Sequence, residues 1–199
     1  NLAKKAEQII LSSKFNISKI DERNVSRKPK APFNTSTLQQ TANSQLNFSA
    51  SQTMTVAQGL YMGVDIQKET VALITYMRTD SISLSKESIE IIRTKIENDF
   101  GPKYLPKDPI EYKTKKKNAQ EAHEAIRPTD VNIHPDSIKD HVTEDQFKLY
   151  DLIWRRTISS QMANAETNVN ALTITNPDES IKLKATLGKL VFDGFKKLY

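Results

Sequence analysis

The stretch 71–81, VALITYMRTDS, decides how the rest of the chain is read. Residues 71–74 are apolar and mostly strand-prone, which predicts a short buried strand. Tyr76 stands where the polarity changes, and Arg78 follows two residues later. In an extended backbone, positions two apart share a face. Thr79, Asp80 and Ser81 close the run with turn-forming, hydrogen-bonding side chains. A phenol beside a guanidinium at the mouth of a strand suits attack on a phosphate. An unperturbed tyrosine, with a pKa of about 10, is ionised roughly once in a thousand at pH 7, so exposing the phenolate costs roughly 4 kcal/mol. A fixed cation lowers that cost, and a planar guanidinium grips two phosphate oxygens while keeping its charge. On chemistry alone, a half-buried core tyrosine beside a solvent-facing arginine is the commoner arrangement, and both readings stay open.

A second candidate is QEAHEAIRPTD at 120–130. His123 and Arg127 are four apart, so a helical turn would put them on one face, within reach of one phosphate. Pro128 ends that turn. Taken alone, such a pair is more often a surface pair. Glu121 and Glu124 make no recognised metal spacing with a single His, so they read as orienting or surface residues, and no metal ligand is assigned in this chain.

Outward from these stretches the middle of the chain is helical. Thr35 or Ser36 can cap a helix to Leu46. Phe48 and Ser49 break it, and Ser51 opens a second helix through Tyr61, ended by Gly63. Two short helices before a strand suggest a helix-turn-helix-like arrangement, or simply helices packed round a core. Ser85 caps a helix to Phe100 with Ile89, Ile92 and Ile96 as its buried stripe, stopped by Gly101 and Pro102. A proline-rich loop and the YKTKKK run at 112–117 follow, solvated or attracted to a nucleic-acid backbone. Thr143 and Gln146 make a capping box for a long helix carrying Phe147, Tyr150, Ile153, Trp154, Ile158 and Met162 on its apolar face. Trp154 reads as a core anchor. Arg155 and Arg156 are expected to face solvent or a domain junction, and His134 and His141 to lie exposed.

Toward both ends the period changes. Residues 1–12 keep helical spacing, but 15–25 alternate, as do 163–174 and 181–185, with a turn at 176–178 and a separate short element at 191–192. The fold class is therefore α+β. Residues 1–34 with 163–199 form a β-rich domain, and 35–162 form a mainly helical domain inserted into it. The basic, proline-flanked run at 27–32 reads as the extended crossover between them.

The 199 residues are 37% hydrophobic and 27% charged, a globular rather than a disordered balance. The net charge of +5 favours an acidic partner, though weakly. There is no cysteine, which excludes disulfides and cysteine-zinc sites within this chain. No apolar run reaches a membrane-spanning length. A start at Asn1, without methionine, suggests a piece of a longer protein.

TYMRTDS and AHEAIRPTD, with PFNTSTLQQ and MTVAQGLY ahead of them in the same order, closely resemble the motifs of type IA DNA topoisomerases. The resemblance runs from about Lys28 to the end. It implies that Tyr76 is the nucleophile of transient single-strand DNA cleavage and that Arg78 binds the phosphate. It also implies that His123 holds a phosphate near the break, with Asp80 and Arg127 orienting. The β-rich domain would be an arch carrying the tyrosine domain. The resemblance further implies ATP-independent relaxation by a bacterial cytoplasmic enzyme, with Mg²⁺ held outside this chain, so the isolated piece is expected not to relax DNA. A zinc-ribbon region would lie downstream, and the enzyme would be a monomer. Reverse gyrase shares these motifs. The rival readings are a noncatalytic module that binds single-stranded nucleic acid and a purely structural piece.

Overall fold

A computed structural model describes residues 2–66, 69–113 and 124–199. The chain is α+β, with helices and antiparallel sheets. It divides into two compact units, Asn1–Arg27 with Asn164–Asp193, and Lys28–Ala163 with Gly194–Tyr199.

The first unit holds helix α1 (Leu2–Ser12) and a three-stranded sheet of β1 (Asn16–Arg27), β4 (Ala165–Thr175) and β5 (Lys182–Phe192), ordered β1-β4-β5. Its register pairs Asn16 with Thr175 and Arg27 with Ala165, while Thr175 meets Lys182 on the other side. Ile17, Ile174 and Leu183 therefore form one apolar row across the sheet, and Ile20, Leu172 and Ala185 the next. The separate element expected at 191–192 is instead the end of one eleven-residue strand. Gly188 pairs with Val169 and does not break it, and a register shift at Glu166/Thr167 absorbs the irregularity.

The second unit contains α2 (Thr35–Leu46), α3 (Ala50–Met62), the hairpin of β2 (Val64–Ile66) and β3 (Glu69–Val71), α4 (Lys86–Phe100) and α5 (Glu144–Ser160). Short 3-10 turns occupy Pro102–Tyr104, Pro135–His141 and Gly194–Leu198. Ser85 caps α4, and the Thr143/Gln146 capping box opens α5. Ile92, Ile96, Tyr150, Ile153 and Ile158 are buried with Trp154, whose indole N–H donates to the Val131 carbonyl at 2.9 Å. The His134 ring packs edge-on against Trp154 at 4.8 Å, and His141 is exposed.

Further expectations change. The cap of α2 is Asn34, whose side chain accepts from Thr37 N while the Thr37 hydroxyl accepts from Asn34 N. The cap of α3 is Ser49 rather than Ser51. Arg156 is buried with its guanidinium 4.0 Å over the Phe33 ring, rather than facing solvent. The boundary expected at Asn34 lies at Arg27. Phe33 is fully buried and bridges Ile126, so the segment from Lys28 belongs to the helical unit. The last residues join that unit too. Phe195 N donates to Ala163 O, and Arg155 Nη1 donates to Leu198 O.

Gly63 ends α3 with φ 110°, a conformation L side chains rarely adopt. A Cβ there would lie 2.6 Å from Thr70 Cγ2, so only glycine lets the β2–β3 hairpin fold back so tightly. Beyond α4, Arg93 gathers the carbonyls of Pro106, Lys107 and Asp108, and buried Gln161 pairs both ways with the Ile110 backbone. The Tyr112 hydroxyl donates to Ser160 O at 3.0 Å. Burial pushes that phenol up to about 12, with Arg156 pulling the other way. Among the described residues, no buried side-chain polar atom is left without a partner.

Candidate active site

The short strand predicted at 71–74 is regular only at Val71, the last residue of β3. Regular pairing stops at Val71, and only an isolated bridge from Ile74 to Pro128 continues it. The β2–β3 ladder runs out because β2 begins at Val64, just after α3, and Pro128, without an N–H, does not extend the later bridge into a ladder. Burial nevertheless alternates as it would along a strand. Met77, Thr79 and Ser81 point inward, while Tyr76, Arg78 and Asp80 point outward. The predicted shared face of Tyr76 and Arg78 is thus present without a sheet.

The backbone of this segment is pinned from several sides. Leu73 N donates to Leu60 O at 2.9 Å, and Thr129 N returns to Leu73 O at 3.1 Å. Thr75 N donates to Arg127 O at 2.9 Å, and its hydroxyl donates to Ala125 O at 2.8 Å while accepting from Arg127 N at 3.0 Å. On the far side of Tyr76, the Thr35 hydroxyl lies 2.7 Å from Met77 O and accepts from Thr79 N at 2.9 Å. Thr35 N also donates to Thr79 O at 3.0 Å. The sequence reading gave Thr35 a capping role and passed over Thr75. Both are backbone clamps, and no periodicity marks them, because their partners are distant in sequence.

Between the clamps the side chains are available. Tyr76 is 45% exposed, and among the described residues its hydroxyl has no hydrogen-bond partner. Its ring meets Tyr61 edge-on, with centroids 5.3 Å apart and planes at 64°. Arg78 is exposed and makes no hydrogen bond or ion pair among the described residues. The Asp80 carbonyl accepts from Asn34 Nδ2 at 3.4 Å.

Arg127 differs from Arg78. The segment from Glu124 is not a helical turn, because its amides pair elsewhere: Ala125 N with Ser83 O, and Ile126 N with Phe33 O. Arg127 is largely buried and gives Nε and Nη2 to one oxygen of Glu124 at 2.9 and 2.6 Å, and Nη1 to Pro128 O. Its guanidinium is committed to the fold. His123 lies outside the described residues, as do Glu121 and most of the lysine run.

Burial alone would raise the Glu124 pKa. Hydrogen bonds from Ser85, at the N-cap of α4, and the Arg127 guanidinium more than offset it, so the carboxyl is held below its ordinary value. A depressed folded pKa stabilises above the unfolded value of 4.5 and loses that contribution as pH falls through the lower folded pKa. Acid unfolding of the chain, followed by circular dichroism, is therefore expected to lose its Glu124 component below that value. Glu124→Gln should flatten this limb and lower stability at pH 7. An unchanged acid limb in the variant would refute the linkage.

Among the described residues, no group of three or more His, Cys, Asp or Glu stands together to hold a metal. No helix among them is long and apolar enough to cross a membrane. The arrangement offers an accessible phenol and an unspent cation on a rigid backbone, a geometry suited to an anionic, phosphate-bearing substrate.

A family model described as DNA topoisomerase matches residues 1–199. The DNA topoisomerase 1 of Rickettsia felis is 48% identical over 197 residues, covering 99% of this chain and 25% of that protein. The enzyme of the same name from Helicobacter pylori strain 26695 is 42% identical over 198 residues, covering 98% of this chain and 27% of that protein. The chain thus spans about a quarter of the length of these relatives. The structure of full-length topoisomerase I from Thermotoga maritima superposes with a TM-score of 0.86 at 36% identity, over 98% of this chain and 31% of that one.

Proposed function

The chain belongs to the DNA topoisomerase family, and on that premise we propose that the protein carrying it relaxes negatively supercoiled DNA by cutting and rejoining one strand through Tyr76. The carrying observation is the outward pair on the pinned segment: the Tyr76 hydroxyl without a partner and the Arg78 guanidinium without a counter-ion, among the described residues.

In the proposed step, the Tyr76 oxygen attacks a phosphodiester in a single-stranded segment. The Oη–P bond forms, the P–O3′ bond breaks, and the phenolic proton is lost while the departing 3′ oxygen gains one. The products are a 5′-phosphotyrosyl link and a 3′-hydroxyl. The bond energy is retained, so the reverse attack rejoins the strand without ATP, and relaxation follows passage of the other strand through the gap. Arg78 holds the phosphate oxygens and stabilises charge developing on them. His123 would add a phosphate contact, by its place in the motif. Asp80, outward beside Arg78, would orient these groups. Arg127 would act at one remove, holding the backbone of Thr75 through its own.

Among the described residues no group of three or more His, Cys, Asp or Glu is placed to hold the family's Mg²⁺. We place it, with a zinc-ribbon region, in parts of the protein outside this chain. The first unit would be part of an arch over the DNA path, and the enzyme would act as a cytoplasmic monomer.

The test is polarity of covalent trapping in the whole protein. A single-stranded oligonucleotide labelled at its 3′ end should give a protein-shifted band after denaturation, and the same oligonucleotide labelled at its 5′ end should not. The isolated 199-residue chain, assayed beside it on supercoiled DNA, should relax nothing. A shifted 5′-labelled band would sink the proposed linkage. No adduct with either label, with DNA binding intact, would favour a noncatalytic single-strand-binding module.

A further inference from the structure

The backbone clamps fix where the Cα of Tyr76 lies, but they do not fix its ring. The side chain has two free torsions, half of it is exposed, and its hydroxyl is unheld among the described residues. A nucleophile that must lie in line with a P–O bond at roughly 3–3.5 Å loses productive encounters if its ring samples several rotamers. Something must bias that choice before substrate arrives.

We propose that Tyr61 is the positioning residue for Tyr76, acting through the edge-to-face contact of the two rings. This inference rests on Tyr76 being the nucleophile. Among the described residues, Tyr61 is the one aromatic side chain against the Tyr76 ring, at 5.3 Å and 64°. That geometry is the one the ring quadrupoles favour, so it sets orientation as well as distance.

Tyr61 is well placed for the role because both sides of the contact are built on one frame. It lies in the last turn of α3, next to Leu60, whose carbonyl accepts the Leu73 amide at 2.9 Å. That bond ties the end of α3 to the backbone three residues before Tyr76. The helix is itself seated on α5. A Cβ at Gly59 would lie 2.9 Å from Gln146 Nε2, and Gln52 Nε2 donates to Asp145 Oδ2 at 3.0 Å. The Tyr61 hydroxyl has no hydrogen-bond partner among the described residues. The ring is therefore the part that acts, and phenylalanine should substitute for it.

The experiment uses the whole protein and a single-stranded oligonucleotide in excess. It compares wild type with Tyr61→Leu, Tyr61→Phe and Tyr76→Phe. With Tyr61→Leu, the saturating rate of adduct formation should fall about tenfold while the oligonucleotide Kd stays within about twofold, since ring placement acts on the chemical step. Tyr61→Phe should restore most of that rate. Thermal melting of each variant separates these effects from misfolding, and leucine suits a helix terminus.

A wild-type rate in Tyr61→Leu overturns the inference, and so does an equal loss in Tyr61→Phe, which would assign the effect to the hydroxyl. A loss that appears in Kd rather than in the saturating rate also overturns it, because Tyr61 would then be contacting DNA. Adduct formation by Tyr76→Phe would instead remove the reading on which the inference stands, and the two failures are distinct.

Discussion

Tyr76→Phe in the whole protein is expected to lower covalent adduct on the order of 10⁴-fold or more, with the affinity for single-stranded DNA within about twofold of wild type. The contrast with its structural cost makes this prediction sharp. The change deletes one oxygen, which has no hydrogen-bond partner among the described residues and sits on a side chain 45% exposed. The ring that meets Tyr61 is retained. Neither clamp touches the deleted atom: Thr75 and Thr35 hold backbone groups on either side. Melting temperature should therefore not move. If Tyr76 were only a packing residue, the substitution would leave adduct formation intact, and persistence of the 3′-labelled adduct in the variant would end the proposal. Loss of adduct together with a lower melting temperature would point to misfolding, which Tyr76→Phe gives no structural reason to expect.

How far the sequence carries depends on whether the deciding interactions are local. Helices α4 and α5 were legible because their signals lie within one turn: Ser85 and the Thr143/Gln146 box at the starts, Gly101 and Pro102 after α4, and apolar stripes at helical spacing between. The four neighbours Asn34, Thr35, Ser36 and Thr37 are all competent caps, so local chemistry could not choose among them. The choice was made by Met77 and Thr79, which take the Thr35 hydroxyl and leave Asn34 for the helix. The same holds for residues 124–128. Their composition allows a helical turn, but partners at Phe33, Ile74 and Ser83 draw them out. Arg155 and Arg156 are adjacent on α5, and nothing in a pair of arginines says which one turns inward. The outward pair of Tyr76 and Arg78 was legible because alternation is a property of the extended chain itself. Its clamps were not legible, because each joins residues far apart in sequence.

The largest stability effect is expected at Phe33. Phe33→Ala should cost about 4 kcal/mol in urea unfolding of the 199-residue chain, within the usual range for truncating a fully buried phenylalanine. Against a typical domain stability of roughly 5–15 kcal/mol, that brings the helical unit near its unfolding threshold. Two effects add here. The ring is fully buried, so its removal leaves a cavity. The Arg156 guanidinium also sits 4.0 Å over that ring and is itself largely buried. Among the described residues no carboxylate pairs with it, and its hydrogen bond goes to Ala31 O at 3.3 Å. The ring face is therefore a main electrostatic partner of a desolvated cation, a contact worth about 2 kcal/mol in such settings. Phe33→Leu refills most of the volume but offers no π face, so it should still cost about 2 kcal/mol. In an Arg156→Met background the Leu penalty should shrink, because there is no longer a cation to strand. An unchanged penalty would assign the whole effect to packing. The damage should also reach the site, because Phe33 O accepts the Ile126 amide and the next two residues cap α2 and clamp the backbone beyond Tyr76. Adduct formation by Phe33→Ala in the whole protein is thus expected to fail at a lower temperature than in wild type, in step with unfolding, whereas Tyr76→Phe fails at every temperature.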